Sequence, residues 1–122
     1  MYFDLKAEIR QALINNSALF SLLGGPHVYP LASPDASLKT YITFQEITNF
    51  DKDFASDRAL NSEIHFHFDI WTPYNTGPIA AEVNRTMEEQ GFTRTSSQDG
   101  FDRSGELIYR KILRYKTIKF GG

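Results

Sequence analysis

The run Ser62-Glu63-Ile64-His65-Phe66-His67-Phe68-Asp69-Ile70-Trp71 decides the fold. Its apolar residues Ile64, Phe66, Phe68 and Ile70 alternate with Glu63, His65, His67, Asp69 and Trp71. Alternation of period two is the mark of a strand with one face in a core and the other turned to water or to a partner. The first set must be buried, so the rest of the chain has to supply a cover.

Upstream, Tyr41–Thr48 alternates in the same way and is rich in β-formers, which makes it a second strand. Between the two lies Asn49–Asn61, polar and acidic around Phe50 and Phe54. That length exceeds a simple hairpin connection, so the segment reads as a functional loop. Downstream, Thr72–Thr76 turns the chain and Gly77-Pro78 opens a helix, since proline is tolerated in a first helical turn. Ile79, Ala80, Val83 and Met87 form its buried stripe, and Gly91 ends it.

Phe92–Thr95 then begins a short strand and Asp99-Gly100 marks a turn. Leu107–Phe120 is a long final strand with apolar residues on both faces: Leu107, Tyr109, Leu113 and Tyr115 against Ile108, Ile112, Ile118 and Phe120. Either both faces are covered or a bulge shifts the register.

At the start of the chain, Leu5, Ile9, Ala12 and Leu13 recur at helical spacing up to about Asn15, with Asp4 as N-cap or first-turn acid. Ser17 caps a second short helix, Ala18–Leu23, which Gly24-Gly25-Pro26 stops. Phe20, Leu22 and Leu23 are its expected buried anchors. His27-Val28-Tyr29 fits only an edge strand, and Pro30 ends its capacity to donate to a ladder. The expected architecture is α+β: a mostly antiparallel sheet, with the N-terminal helices and one central helix packed on one face.

Length and composition bound the function. The 122 residues suit one domain spanning 1–122, and 41% apolar with 23% charged residues is ordinary for a globular protein. No apolar run approaches the roughly 20 residues that cross a bilayer, and the first residues lack the pattern of a secretory signal, so no membrane partner is expected. The absence of cysteine removes disulfides, thiolate catalysis and cysteine-ligated zinc. A net charge of −2 argues against a dedicated nucleic-acid binder. Its distribution is uneven, however. Asp51, Asp53, Asp57, Glu63 and Asp69 outnumber Lys52 and Arg58 between 51 and 69, whereas Arg110, Lys111, Arg114, Lys116 and Lys119 follow the last acid, Glu106. These are either two solvated strand faces or complementary sides of neighbouring subunits.

Catalytic patterns are few. His65 and His67 share a strand face about 7 Å apart and could share a metal with Glu63 or Asp69, but a third histidine ligand is not near in sequence. Gly24-Gly25 has no Lys-Ser/Thr behind it and is no phosphate loop. Asp99, Asp102 and Glu106 miss calcium-loop spacing. Tyr109, Arg110, Lys111, Arg114, Tyr115 and Lys116 offer either a phosphate-directed nucleic-acid platform or a strand whose tyrosines face the core while its charges face water. Neither catalytic residues nor a cofactor are assigned. A metal-dependent enzyme built on His65 and His67, and a nucleic-acid-binding accessory domain, stand as the alternatives.

Taken in order, several pieces resemble the small tail-completion proteins of long-tailed bacteriophages, the group of head–tail joining and tail-terminator subunits. They are Leu22-Leu23-Gly24-Gly25 leading into Val28-Tyr29-Pro30, then Tyr41-Ile42-Thr43-Phe44-Gln45 after a Pro-rich loop. Phe68-Asp69-Ile70-Trp71 follows, then a helix after a short polar turn, and finally Leu107-Ile108-Tyr109-Arg110-Lys111-Ile112-Leu113-Arg114-Tyr115. The specificity lies in their order and in the total length. The resemblance implies a structural virion protein made in the bacterial host cytoplasm, forming a hexameric ring at the head–tail junction. Its partners there would be copies of itself, the head connector protein and the tail tube protein, with non-specific contact to DNA in the lumen. The resemblance implies that the Asn49–Asn61 loop projects; the contact residues expected from the charge pattern are Phe50, Asp51, Asp53, Phe54, Asp57 and Arg58 in that loop. Glu63, His65 and His67 on the polar strand face, and Arg110, Arg114 and Lys116 on the last strand, complete the set.

Overall fold

The computed structural model describes residues 2–103 and 105–120. Three helices, α1 (Lys6–Asn15), α2 (Ser17–Leu23) and α3 (Gly77–Glu89), accompany five strands: β1 (Val28–Pro30), β2 (Tyr41–Ala55), β3 (Arg58–Thr72), β4 (Thr93–Asp102) and β5 (Ile108–Phe120). The sheet order is β1-β2-β3-β5-β4. Only the β1–β2 pair is parallel, so the chain is α+β with a mostly antiparallel sheet.

The alternation in β3 does what its spacing predicts. Ile64, Phe66, Phe68 and Ile70 are fully buried, and they share one cluster with Ile42 and Phe44 of β2 and with Leu113 and Tyr115 of β5. The helices complete that cluster through Ile9, Leu13, Leu19, Ile79, Val83 and Met87. Phe44 stacks on Phe68 with ring centres 5.4 Å apart, and Tyr115 meets Phe68 edge-on at 5.6 Å. Such aromatic pairs contribute beyond their buried area. The Tyr115 hydroxyl is satisfied by donating to Asn84 Oδ1 of α3 at 2.9 Å, and burial pushes its pKa well above the ordinary range.

Several boundaries differ from expectation. α1 starts one residue later than an Asp4 cap implies. Leu5 takes the N-cap position, while Asp4 Oδ1 accepts from the Lys6 amide at 3.2 Å. α2 is capped by Asn16, whose Oδ1 accepts from the Leu19 amide at 3.0 Å; Ser17 is already helical. The Asn16 amide also donates to Thr86 Oγ1 at 2.9 Å, which fixes the α1–α2 joint to α3. In α2 the buried residues are Leu19 and Leu23, whereas Phe20 and Leu22 are exposed. A helix this short, and apolar along most of its length, does not define its own buried face.

Two larger corrections concern strands. Asn49–Asn61 is not a loop: β2 and β3 continue through it as a hairpin in which Ala55 pairs with Arg58. The two-residue turn Ser56-Asp57 has φ of 52° and 61°, the left-handed pair that matches the twist of a hairpin. β4 likewise runs ten residues, with Asp99 and Gly100 inside it rather than at a turn. Gly100 pairs with Arg110, and the chain reverses between Asp102 and Ile108.

On the two-sided apolar pattern of the last strand, neither expected explanation holds. β5 keeps unbroken register against β3 from Tyr109 to Phe120. The irregularity lies in β4, between Arg94 and Ser96. Leu113 and Tyr115 are buried, but Ile112 is only half-buried and Ile118 and Phe120 are exposed.

Candidate assembly surface

The alternation that buries Phe66 and Phe68 brings Glu63, His65, His67, Asp69 and Trp71 to the other face of β3. Antiparallel register then sets their neighbours. Trp71 lies opposite Tyr41 on one side and Arg110 on the other; His67 lies between Gln45 and Arg114, and His65 between Thr48 and Lys116. The expected face residues of β3 and β5 are therefore one contiguous surface.

At one end of this surface, Trp71 stacks on Tyr41 at 6.2 Å and the Arg110 guanidinium lies 4.9 Å over the Trp71 ring. Arg110 also donates to Asp69 Oδ1 through Nη2 at 2.7 Å and Nε at 2.8 Å. Asp69 Oδ2 is 3.1 Å from His67 Nε2. Toward the other end, His65 Nε2 is 2.8 Å from Glu63 Oε2, while Lys52 Nζ donates to Glu63 Oε1 at 3.1 Å. Contact with His65, and secondarily with Lys52, holds the Glu63 carboxyl below the usual carboxylate range. The two histidines thus engage carboxylates on opposite sides of the pair. Among the described residues no three histidine, aspartate or glutamate side chains form a group that could hold a metal ion.

Arg114 and Lys116 stand directly across from His67 and His65, and among the described residues neither is bonded to a carboxylate. Beside them Ile112, Ile118 and Phe120 give this face an apolar component that the chain itself does not cover.

The remaining expected residues lie on the distal half of the β2–β3 hairpin, beyond the irregularity between Glu46 and Thr48; β5 accompanies β3 as far as Asn61, and the hairpin projects alone past that point as an arm. Asp51 Oδ1 accepts from Ser62 Oγ at 3.1 Å and Asp53 Oδ2 from Asn61 Nδ2 at 2.9 Å, so these two acids brace the hairpin internally. The ring of Phe50 stacks on His65 at 6.5 Å. Phe54 is 64% exposed at the tip, next to exposed Asp57 and Arg58. Phe54, Asp57 and Arg58 make no side-chain hydrogen bond or ion pair among the described residues. The distal half thus divides into braced positions, 50 to 53, and free ones, 54 to 58.

A feature that sequence reasoning missed occupies the opposite end of the sheet. Tyr74, Asn75 and Thr76 before α3, together with Asp99, Gly100, Phe101, Tyr109 and Arg110 of the β4–β5 hairpin, enclose an open groove of about 840 Å³. Tyr74, Phe101 and Tyr109 are all exposed there. Tyr109 is on the same side of β5 as buried Tyr115, but the core ends before reaching it. Only the pairing of Phe101 with Tyr109, invisible while Asp99-Gly100 reads as a turn, brings those rings together.

No helix among the described residues is long and apolar enough to cross a membrane. A family model described as tail completion protein gp17 matches residues 7–118. Among solved structures, a chain from the virion of a native gene transfer agent particle is similar in fold. It has a TM-score of 0.67 and 17% identity, over 96% of this chain and 95% of that one. No curated protein matches the sequence.

Proposed function

The chain belongs to the tail completion protein gp17 family of virion structural proteins, and on that premise we propose that it forms a hexameric ring that completes the tail tube and joins it to the head connector. In this role the whole chain acts as a single domain and as a scaffold, without catalytic residues.

One observation carries the reading. The strands β2 and β3 run on past the end of β5, whose last pair is Phe120 with Asn61, and project beyond it as a two-stranded tip that reaches Ala55 and Arg58. An isolated two-stranded ribbon is marginal in water. A protein that keeps such an arm, with aromatic rings at its exposed positions, has a use for it outside its own core. The side of the sheet opposite the helices agrees, because its mixture of paired charges and uncovered Ile118 and Phe120 has the make-up of a subunit contact.

Removing the chain from an infection tests the role. Filled heads and separate, complete-length or overlong tails should accumulate, countable by electron microscopy. Normal virions in its absence would contradict the reading.

A second reading concerns Arg114 and Lys116. Their lack of carboxylate partners, on a face that otherwise pairs its charges, favours a lumen-facing position where they meet DNA phosphates without base specificity. Reversing both charges should then leave ring formation intact while altering DNA retention. Loss of the ring itself would assign them to the subunit contact instead.

A further inference from the structure

We propose that the aromatic groove at the Trp71 end of the sheet receives the hairpin tip of a second copy of this chain, with Phe54 as the inserted side chain. The inference rests on the self-assembly reading above and adds the contact that would close the ring.

Tip and groove lie at opposite ends of the same strand. The turn Ser56-Asp57 precedes Arg58 at the start of β3, whereas the groove residue Tyr109 pairs with Thr72 at its end. About 14 residue steps at roughly 3.3 Å place them on the order of 45 Å apart, so one chain cannot join its own tip to its own groove. The apolar surfaces involved are the sort that monomers avoid leaving open: Phe54 at 64% exposure on one side, Phe101 at 67% and Tyr74 at 74% on the other. Rings meeting rings in offset or edge-on contact give such a junction specificity as well as area.

The charges match in the same sense. Beside Phe54 the tip carries Asp57 and Arg58, both exposed and, among the described residues, without a hydrogen bond or ion pair. At the groove rim Arg103 lies 5.8 Å over the Phe101 ring and has no carboxylate partner among the described residues. Asp99, 80% exposed at its side chain, shares only one oxygen with Lys111. Asp57 can therefore face Arg103 while Arg58 faces Asp99, a complementary pair of pairs. A contact between unlike patches is heterologous, and repetition of it generates a closed ring when the rotation per subunit divides the circle. A connector or tube protein could fill the groove instead, but the tip's own charge pattern favours a second copy.

The chain has no cysteine, so a pair introduced by mutation is unique. In particles assembled with Asp57→Cys/Arg103→Cys, which leaves Phe54 and the groove rings in place, a short bismaleimide should give a ladder of covalent multimers. An Asp57→Cys/Gln90→Cys control should not. Separately, Asp57→Lys and Arg103→Asp should each lower particle yield severalfold, and the two together should restore it. Two results would overturn the proposal while leaving the tail-completion role intact. One is a double-cysteine chain present in particles with no linkage between position 57 of one copy and position 103 of another. The other is capture of the thiol at position 103 by a different virion protein. Should the double-cysteine chain be excluded from particles, failure of the charge exchange to rescue would overturn it equally. Normal particles formed with no chain at all would instead defeat the functional reading.

Discussion

Two halves of one hairpin face opposite situations. From Tyr41 to Glu46, and from Phe66 to Thr72, β2 and β3 lay Ile42, Phe44, Phe66, Phe68 and Ile70 into the core. From Thr48 to His65 the same two strands hold together by ladder hydrogen bonds, two acid braces and the Glu63 contacts, with β5 flanking β3 as far as Asn61 and only the tip beyond it left two-stranded. The first half derives its stability from apolar burial. The second buries no large apolar side chain beyond Ile64, although Ser62 and Asn61 are still covered, and toward the tip it depends on pairs that water and salt weaken. The lesson is a division of labour along a strand: one end anchors the fold, the other is held out at small cost to it.

Mutations should separate the halves. Phe68→Ala opens a cavity between Phe44 and Tyr115 and should destabilise the protein by about 3–5 kcal/mol, read by denaturant unfolding. Asp69→Ala leaves Arg110 and His67 without their shared acceptor on a half-buried face, and a loss of about 1–2 kcal/mol is expected by the same measurement. Asn16→Ala removes the α2 cap and the tie to Thr86, both above the packed half, for about 1 kcal/mol.

The distal half should respond differently. The folded-state pKa of Glu63 is depressed by His65 and Lys52, so its contribution is present above the ordinary glutamate value of about 4.3. It is lost as pH falls below that value through the lowered one. Glu63→Gln should therefore flatten the acid limb of a stability–pH curve and leave the neutral region shallow. Phe54→Ser should change unfolding by no more than about 0.5 kcal/mol. Its effect belongs to assembly, where particle yield should fall. A large loss of stability from Phe54→Ser would erase the distinction between the halves.

How much could be read from the chain follows the same division. Ser62–Trp71, its buried set and the stripe of α3 are plain in the sequence because a core imposes periodicity on what faces it. The arm carries no such imprint. What it buries toward its base is polar, Asn61 and Ser62, rather than apolar, its turn places left-handed backbone on Ser56 and Asp57 without a glycine to announce it, and Asp51 and Asp53 look like loop acids although they brace strands. β4 was obscured for a related reason: every described residue from Thr93 to Gln98 is exposed, and Asp99-Gly100 imitates a turn. The polar residues named on β3 and β5 do converge on one surface, since register across a sheet follows once the strands are known. The groove could not be foreseen, because it needs the pairing of a strand whose extent was hidden.

Hydrogen exchange on the free chain and on assembled particles tests the division most directly. Amides of residues 53–55 and 58–60, beyond the last β3–β5 pair, should exchange much faster than those of 42–46 and 66–71 in the free protein, and should become protected in particles. An arm as protected as the packed half in the free chain, or one that still exchanges freely in particles, would contradict the account.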